Sequence, residues 1–344
     1  GKKNINGSTY YFNQEGVMQT GWAFVDGHWN YFASSGAMKT GWVKDQETWY
    51  YLDKDGIMLT GRQDINGVRY YLNASGAMQT GWKWQDNSWY FYTNSGAMKT
   101  GWLKDKESWY YLDPETGIMA VGSKEIDGKN YFFSSAGTMQ VGWQWSNDSW
   151  HYYATSGALQ TGWLKDGDAW YYLEGKEGVM LVGLHQVDGK QYYFSKSGAM
   201  QTGWKWFDNH YRYFESNGAM KTGWIKDKGV WYYLNPEDGI MLVGLHKVNG
   251  DHYYFDESGA MQIGWKQLYG NWYYFQADGS LLKNATTPDG YKVNEEGIWK
   301  QAVAAVNSDA VKPEQKQEAN SSIVEQPKQD SNLEANASDK KEKE

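Results

Sequence analysis

One feature constrains this chain more than any other: it repeats itself. Residues 21–40 read GWAFVDGHWNYFASSGAMKT and residues 41–60 read GWVKDQETWYYLDKDGIMLT. The Gly-Trp opening returns at 81, 101, 142, 162, 203, 223 and 264, and units lacking that Trp begin at 61, 122, 183 and 244. Residues 1–283 thus divide into fourteen units of 20 or 21 residues, closed by a partial unit, NATTPDGYKVNEEGIWKQ, at 284–301. A short unit of this kind cannot bury an apolar face alone, so the period predicts a stacked array.

A second period overlies the first. Units opening at Gly1, Gly61, Gly122, Gly183 and Gly244 form a Trp-poor first class; those at 21, 81, 142, 203 and 264 form a second; those at 41, 101, 162 and 223 form a third, reading GW(V/L/I)KD…WYYL. This order returns every 60 or 61 residues. It predicts a superhelix with about three hairpins per turn, in which each class lines up along one side.

The units read as β-hairpins. With the opening Gly as position 1, Asn-Gly or Asp-Gly recurs at positions 6 and 7, as in Asn66-Gly67 and Asp127-Gly128. Between apolar runs this pair marks a two-residue turn in which both residues take positive φ. Strands then occupy positions 2–5 and 8–12, with 2 opposite 11 and 4 opposite 9. Side chains alternate along a strand, so Trp42, Trp49 and Tyr51 share a face and Tyr50 points the other way. Because a lone hairpin is marginal in water, the aromatic face is expected to stack on neighbouring hairpins. All 12 Met residues fall just after the second Gly of a unit, which predicts one recurring pocket for a soft side chain.

Composition narrows the function. Tyr, Trp and Phe number 28, 21 and 11, and mean hydropathy is −0.78, so the chain is aromatic-rich but aliphatic-poor. Absence of Cys excludes a disulfide framework and a thiol nucleophile. Net charge −8 argues against nucleic acid as a partner. No apolar run is long enough for membrane insertion. The start, GKKN, lacks the apolar stretch of a signal peptide, which leaves a cytosolic or a processed secreted chain. The six His are scattered; His185 and His246 are equivalent positions of successive first-class units, as repeat inheritance would give. Asp53, Asp55 and Asp113 sit near expected turns and read as solvated turn residues, so no catalytic pair or metal site is singled out. Residues 302–344 contain no aromatic and no Gly and read as a disordered tail or linker.

The pattern TGWxKDxxxWYYL…GxMxTGW resembles the choline-binding repeat of streptococcal, especially pneumococcal, surface proteins, and NATTPDGYKVNEEGIWK resembles the sequence closing many such modules. The resemblance covers residues 1–301. It implies an all-β, left-handed spiral of hairpins without catalytic activity of its own, any enzyme domain belonging to another part of a parent protein. It implies choline or phosphocholine as ligand, with no cofactor and no metal. Each choline is expected in a cage of two Trp from one unit, at positions 2 and 9, and a Tyr at position 11 of the next, usually with a Met. A trimethylammonium has no hydrogen to donate and is held by π faces.

Carried over, the cages are Trp22, Trp29 and Tyr51; Trp42, Trp49 and Tyr71; Trp82, Trp89 and Tyr111; Trp143, Trp150 and Tyr172; Trp163, Trp170 and Tyr193; and Trp224, Trp231 and Tyr254. Two are variants: Trp102 and Trp109 with Phe132, and Trp204 and Tyr211 with Tyr233. Trp265 and Trp272 would need Tyr291 from the irregular closing unit and are not counted. First-class units carry other residues at positions 2 and 9, such as Arg62 and Arg69, and are expected to form a ligand-free stripe. Read alone, the same aromatics also fit a packed core, and the extra Trp84, Trp145 and Trp206 read as packing.

The resemblance implies phosphocholine-bearing teichoic and lipoteichoic acids as partners, a secreted location at the bacterial cell wall, and anchoring through many linked sites. A choline-linked homodimer is a further implied assembly. Two other readings stand beside it. The Trp-poor units, such as INGSTYYFNQEGVMQTG, also resemble glucan-binding and toxin repeats. The array could equally serve as a display rod for adhesion to host extracellular proteins.

Overall fold

The computed structural model describes residues 1–299, and the expected disordered tail lies outside them. Their secondary structure is β-strand and turn, in a solenoid of stacked hairpins. Cα proximity separates two compact units, residues 1–160 and a second beginning at Thr161. Each is built from the same repeating element. Among the described residues no helix is long and apolar enough to cross a membrane.

The hairpins have the register that the turn pair dictates. In the Gly41 hairpin Trp42 opposes Tyr51, Lys44 opposes Trp49 and Asp45 opposes Thr48. The turn residues Asn66 and Gly67 have φ of 53° and 78°, as a two-residue turn of this hand requires. Where the sequence lacks Asn or Asp the backbone does the same: Gln46 has φ 53° and Tyr269 has φ 52°. After each hairpin the chain folds back, and the Met that follows bridges the second strand, as Met38 does opposite Phe32.

The core lies where two unlike faces meet. Position 12 is buried from the second hairpin onward: Phe32, Leu52, Leu72, Leu112, Leu173, Phe194 and Phe275 are all 0% exposed. It sits opposite the opening Gly, as Phe32 does opposite Gly21, so no side chain competes for the space. Position 12 belongs to the face that also carries positions 5 and 10. The Trp-bearing face, with positions 2, 4, 9 and 11, packs onto that face of the next hairpin. In the first unit Trp102 and Tyr111 pack on Ile126, Tyr131 and Phe133. In the second, Trp224 and Tyr233 pack on Val248, Tyr253 and Phe255. Stacking is therefore front to back, and this decides which residues reach each other across a junction.

One backbone bond per junction fixes the spacing. The Met N–H donates to the carbonyl at position 9 of the preceding hairpin: Met58 to Trp29 at 2.9 Å, Met78 to Trp49 at 2.8 Å and Met261 to Trp231 at 2.8 Å. The Met side chain then reaches forward to the second Gly of the next hairpin. A Cβ built on Gly56 would stand 2.6 Å from the Met38 sulfur, so Gly is required there both for φ and for room. This is the recurring Met pocket that the sequence predicts.

Candidate functional site

Front-to-back stacking assembles an aromatic recess at junctions that start from a Trp-bearing hairpin. The first such recess is lined by Trp22 and Trp29 of one hairpin, Tyr50 and Met58 of the next, and Ala74 and Ser75 of the hairpin after that. Its volume is about 350 Å³. The Trp22 ring lies 4.7 Å from Tyr50, centroid to centroid, at 66°. Trp29 is 45% exposed, so its ring faces the opening and is not spent on core packing.

The same geometry recurs. Trp42 meets Tyr70 at 4.8 Å, Trp82 meets Tyr110 at 4.8 Å and Trp102 meets Tyr131 at 4.9 Å. In the second unit Trp163 meets Tyr192 at 4.9 Å, Trp204 meets Tyr232 at 5.0 Å and Trp224 meets Tyr253 at 4.9 Å. The two Trp of one hairpin stand nearly perpendicular, as for Trp42 with Trp49, Trp102 with Trp109, Trp163 with Trp170 and Trp224 with Trp231, at 6.2–6.4 Å and 83–90°. Tyr211 takes the place of the second Trp beside Trp204, at 6.5 Å. The exposed rings Trp49, Trp89, Trp109, Trp170 and Trp231 are 40–42% accessible, much as Trp29 is.

The ring of the next hairpin that lies against the position 2 Trp is therefore at position 10, whereas the sequence pattern names position 11. Tyr51 lies 5.1 Å from Trp42 of its own hairpin, and Tyr111, Tyr172 and Tyr233 likewise lie 5.0–5.2 Å from Trp102, Trp163 and Trp224. Tyr71, Phe132, Tyr193 and Tyr254 stack instead on Tyr92, Tyr153, Phe214 and Phe275, at 5.9–6.1 Å. The reason is alternation. Position 11 shares the Trp face, and that face looks away from the preceding hairpin's Trp pair. Within its own hairpin Trp143 lies 5.2 Å from Tyr152, and Trp150 lies 5.5 Å from Trp145.

Three further features escape the sequence pattern. The Trp22, Trp82 and Trp204 indole N–H groups donate to Asp45, Asp105 and Asp227 of the next hairpin at 3.0, 2.9 and 3.1 Å. A recurring Asp at position 5 of third-class units was the available signal. The closing segment also meets the last Trp-bearing hairpin: Tyr291 lies 5.8 Å from Trp265, and the Trp265 indole donates to Asp289 at 2.8 Å. Finally, the extra Trp84, Trp145 and Trp206 are 57%, 43% and 48% exposed. They lie against the ring across the strand pair, Trp84 5.5 Å from Trp89, and not in the core.

First-class junctions are built differently. The equivalent recess after the Gly61 hairpin is lined by Arg62, Arg69, Met98 and Thr116. The Arg62 guanidinium lies 4.8 Å from the Tyr90 ring, donates to its hydroxyl at 2.9 Å and pairs with Asp86. A cation of the chain itself thus sits on the Tyr90 ring. Elsewhere polar side chains fill the junction: the buried Asn30 donates to the Gly56 carbonyl, and Arg212 to that of Asp238 at 2.9 Å.

Some ionisable groups outside the recesses have structural partners. The Asp53 carboxylate accepts from the backbone N–H of Asp55 and Ile57. Asp113 accepts from Thr116 and Lys124, which hold its pKa down to about 2. His185 and His246 each lie 2.7 Å from a connecting carbonyl, Val182 and Val243.

Models of known repeat families match the sequence along most of its length. The choline-binding repeat model matches residues 1–40, 39–80, 59–99, 79–123, 120–159, 140–183, 201–244 and 242–285, and a putative cell wall binding repeat matches 183–200. CbpJ from Streptococcus pneumoniae TIGR4 is 30% identical over 87% of this chain and 99% of its own, with a TM-score of 0.29. Choline binding protein F from Streptococcus pneumoniae, solved with a peptidoglycan analogue, is 30% identical over 87% of this chain and 98% of its own, with a TM-score of 0.32. The modular autolysin LytC from the same organism is 25% identical over 65% of this chain and 52% of its own, with a TM-score of 0.46. No curated protein matches the chain. Repeats matched along most of its length, each folded as the same aromatic hairpin, make this chain a member of the choline-binding repeat family, associated with the bacterial cell wall.

Proposed function

We propose that the recesses are cages for the trimethylammonium of choline or phosphocholine, and that the chain anchors a secreted surface protein to teichoic and lipoteichoic acids. The observation that carries this reading is the convergence of Trp22, Trp29, Tyr50 and Met58 on one partly exposed recess. Several π faces turned toward one space suit a cation that needs no hydrogen-bond acceptor, since each ring presents its negative quadrupole face. The Met sulfur adds a soft wall.

Anchoring follows from number. A single cage of millimolar affinity corresponds to about −4 kcal/mol. Several on one chain engage a polymer bearing many cholines, and linkage raises apparent affinity by roughly 10² to 10⁴. Such binding needs no catalysis from these repeats.

A titration of the chain with choline chloride, followed by intrinsic Trp fluorescence beside a dextran series, tests the proposal. A saturable choline response in the millimolar range with a flat dextran curve is expected. A flat choline curve with a dextran response would move the assignment to glucan binding.

A further inference from the structure

The recesses are not all alike, and the difference is electrostatic. Where a second-class hairpin meets a third-class one, the wall Trp donates its indole N–H to a carboxylate, as Trp22 does to Asp45 and Trp204 does to Asp227. That places negative charge behind the ring. Where a third-class hairpin meets a first-class one, the same position of the next hairpin is Ile65, Ile126, Val187 or Val248, each buried and uncharged.

The mouth differs as well. Position 4 lies directly across the strand pair from the exposed Trp at position 9. In the second-class hairpins opening at 21, 81, 142 and 203 it carries a ring, Phe24 at 5.4 Å from Trp29 and Trp84 at 5.5 Å from Trp89. In third-class hairpins it is Lys44, Lys104, Lys165 or Lys226. The Lys226 ammonium stands 5.6 Å from the centre of the Trp231 ring and Lys165 stands 6.0 Å from that of Trp170. Lys44 reaches instead to Glu47 at 2.9 Å, in a pair whose side chains are 42% and 93% exposed. An exposed pair of this kind contributes little and yields readily to a stronger anion.

We infer that the third-class cages are selective for phosphocholine over free choline, with the position 4 lysine pairing with the phosphate, while the second-class cages are not. The inference rests on the cage reading above. In phosphocholine the phosphate lies two methylenes from the quaternary nitrogen. A cation held on the Trp231 face therefore presents its phosphate within reach of Lys226. Near pH 7.5 that phosphate is largely dianionic and a strong acceptor. In a second-class cage the Asp carboxylate favours the cation but repels the phosphate, and the ring at position 4 carries no positive charge to pair with it.

Equilibrium dialysis of the whole chain against labelled choline and labelled phosphocholine, at pH 7.5 and low salt, tests this. The variant combines Lys44→Gln, Lys104→Gln, Lys165→Gln and Lys226→Gln. The wild-type chain should bind phosphocholine about two- to fivefold more tightly than choline at a subset of its sites, as an exposed charge pair allows. The variant should lose that preference, so that its phosphocholine and choline isotherms coincide. The inference is overturned if the two wild-type isotherms coincide, or if the variant retains the preference. Absence of any choline isotherm in the wild-type chain would overturn the cage reading itself, and this inference with it.

Discussion

The sulfur of Met38 occupies the space that a side chain on Gly56 would need, 2.6 Å from a Cβ built there. Met and Gly, recurring in register along the array, therefore form a two-part joint between hairpins. Gly61 has the same sign of φ, 78° against 71°, but nothing within 4 Å of its would-be Cβ. Both Gly→Ala changes incur the left-handed backbone cost of about 1–2 kcal/mol. Only Gly56→Ala also overpacks a side chain. Thermal or denaturant unfolding should show Gly56→Ala less stable than Gly61→Ala by about 1 kcal/mol. Adding Met38→Ala should remove the excess, as a double-mutant cycle would reveal.

Which tyrosine closes a cage is also testable. Tyr70 lies 4.8 Å from Trp42, whereas its neighbour Tyr71 stacks on Tyr92 at 6.1 Å. Tyr70→Ala should abolish one choline site by equilibrium dialysis, and Tyr71→Ala should leave the number unchanged. The reverse result would restore position 11 as the partner.

Much of this was legible in the sequence, because it is local. The Asn-Gly and Asp-Gly pairs give the turn, the turn gives the register, and alternation gives the two faces. The Met pocket is written in the fixed place of 12 residues. What the sequence hides is how one hairpin sits on the next. In the run Trp49-Tyr50-Tyr51 alternation sets Tyr51 on the Trp face and Tyr50 on the other, but it does not say which face meets the neighbouring Trp pair; in the fold it is Tyr50 that lies against Trp22. The Asp45 bond to Trp22 is hidden for the same reason, since it crosses a junction. Tyr291 was obscured by the irregular closing segment, although the fold brings it to Trp265.

First-class junctions offer a gain-of-function test. Around Arg62 and Arg69 the recess already has Tyr90 and Met98 in place of Tyr50 and Met58. Replacing Arg62 and Arg69 together by Trp removes the resident guanidinium and supplies the missing walls. The variant should bind one additional choline by equilibrium dialysis. An unchanged number would mean that the Trp pair alone does not make a cage.

Acid sensitivity should trace in part to Asp113. Hydrogen bonds from the Thr116 backbone and from Lys124 lower its pKa to about 2 in the fold. The unfolded chain holds the carboxyl near about 3.9. A carboxylate with a depressed folded pKa contributes stability that is present above the unfolded value and is lost as pH falls through the folded one. Stability of the wild-type chain should therefore decline between about pH 4 and pH 2 more steeply than that of Asp113→Asn. Denaturant midpoints read across that range are the measurement, and parallel curves would remove Asp113 from the account.

The most direct test of the cages counts ligands. Trp42 and Trp49 wall one recess and stand perpendicular at 6.4 Å, with Trp49 41% exposed. Labelled choline should be dialysed to saturation against the wild-type chain and against a chain carrying Trp42→Ala and Trp49→Ala, each shown to be folded by circular dichroism. The account predicts saturable binding to the wild-type chain and one fewer bound choline in the variant. An equal number bound by both, or none bound by the wild type, would contradict it.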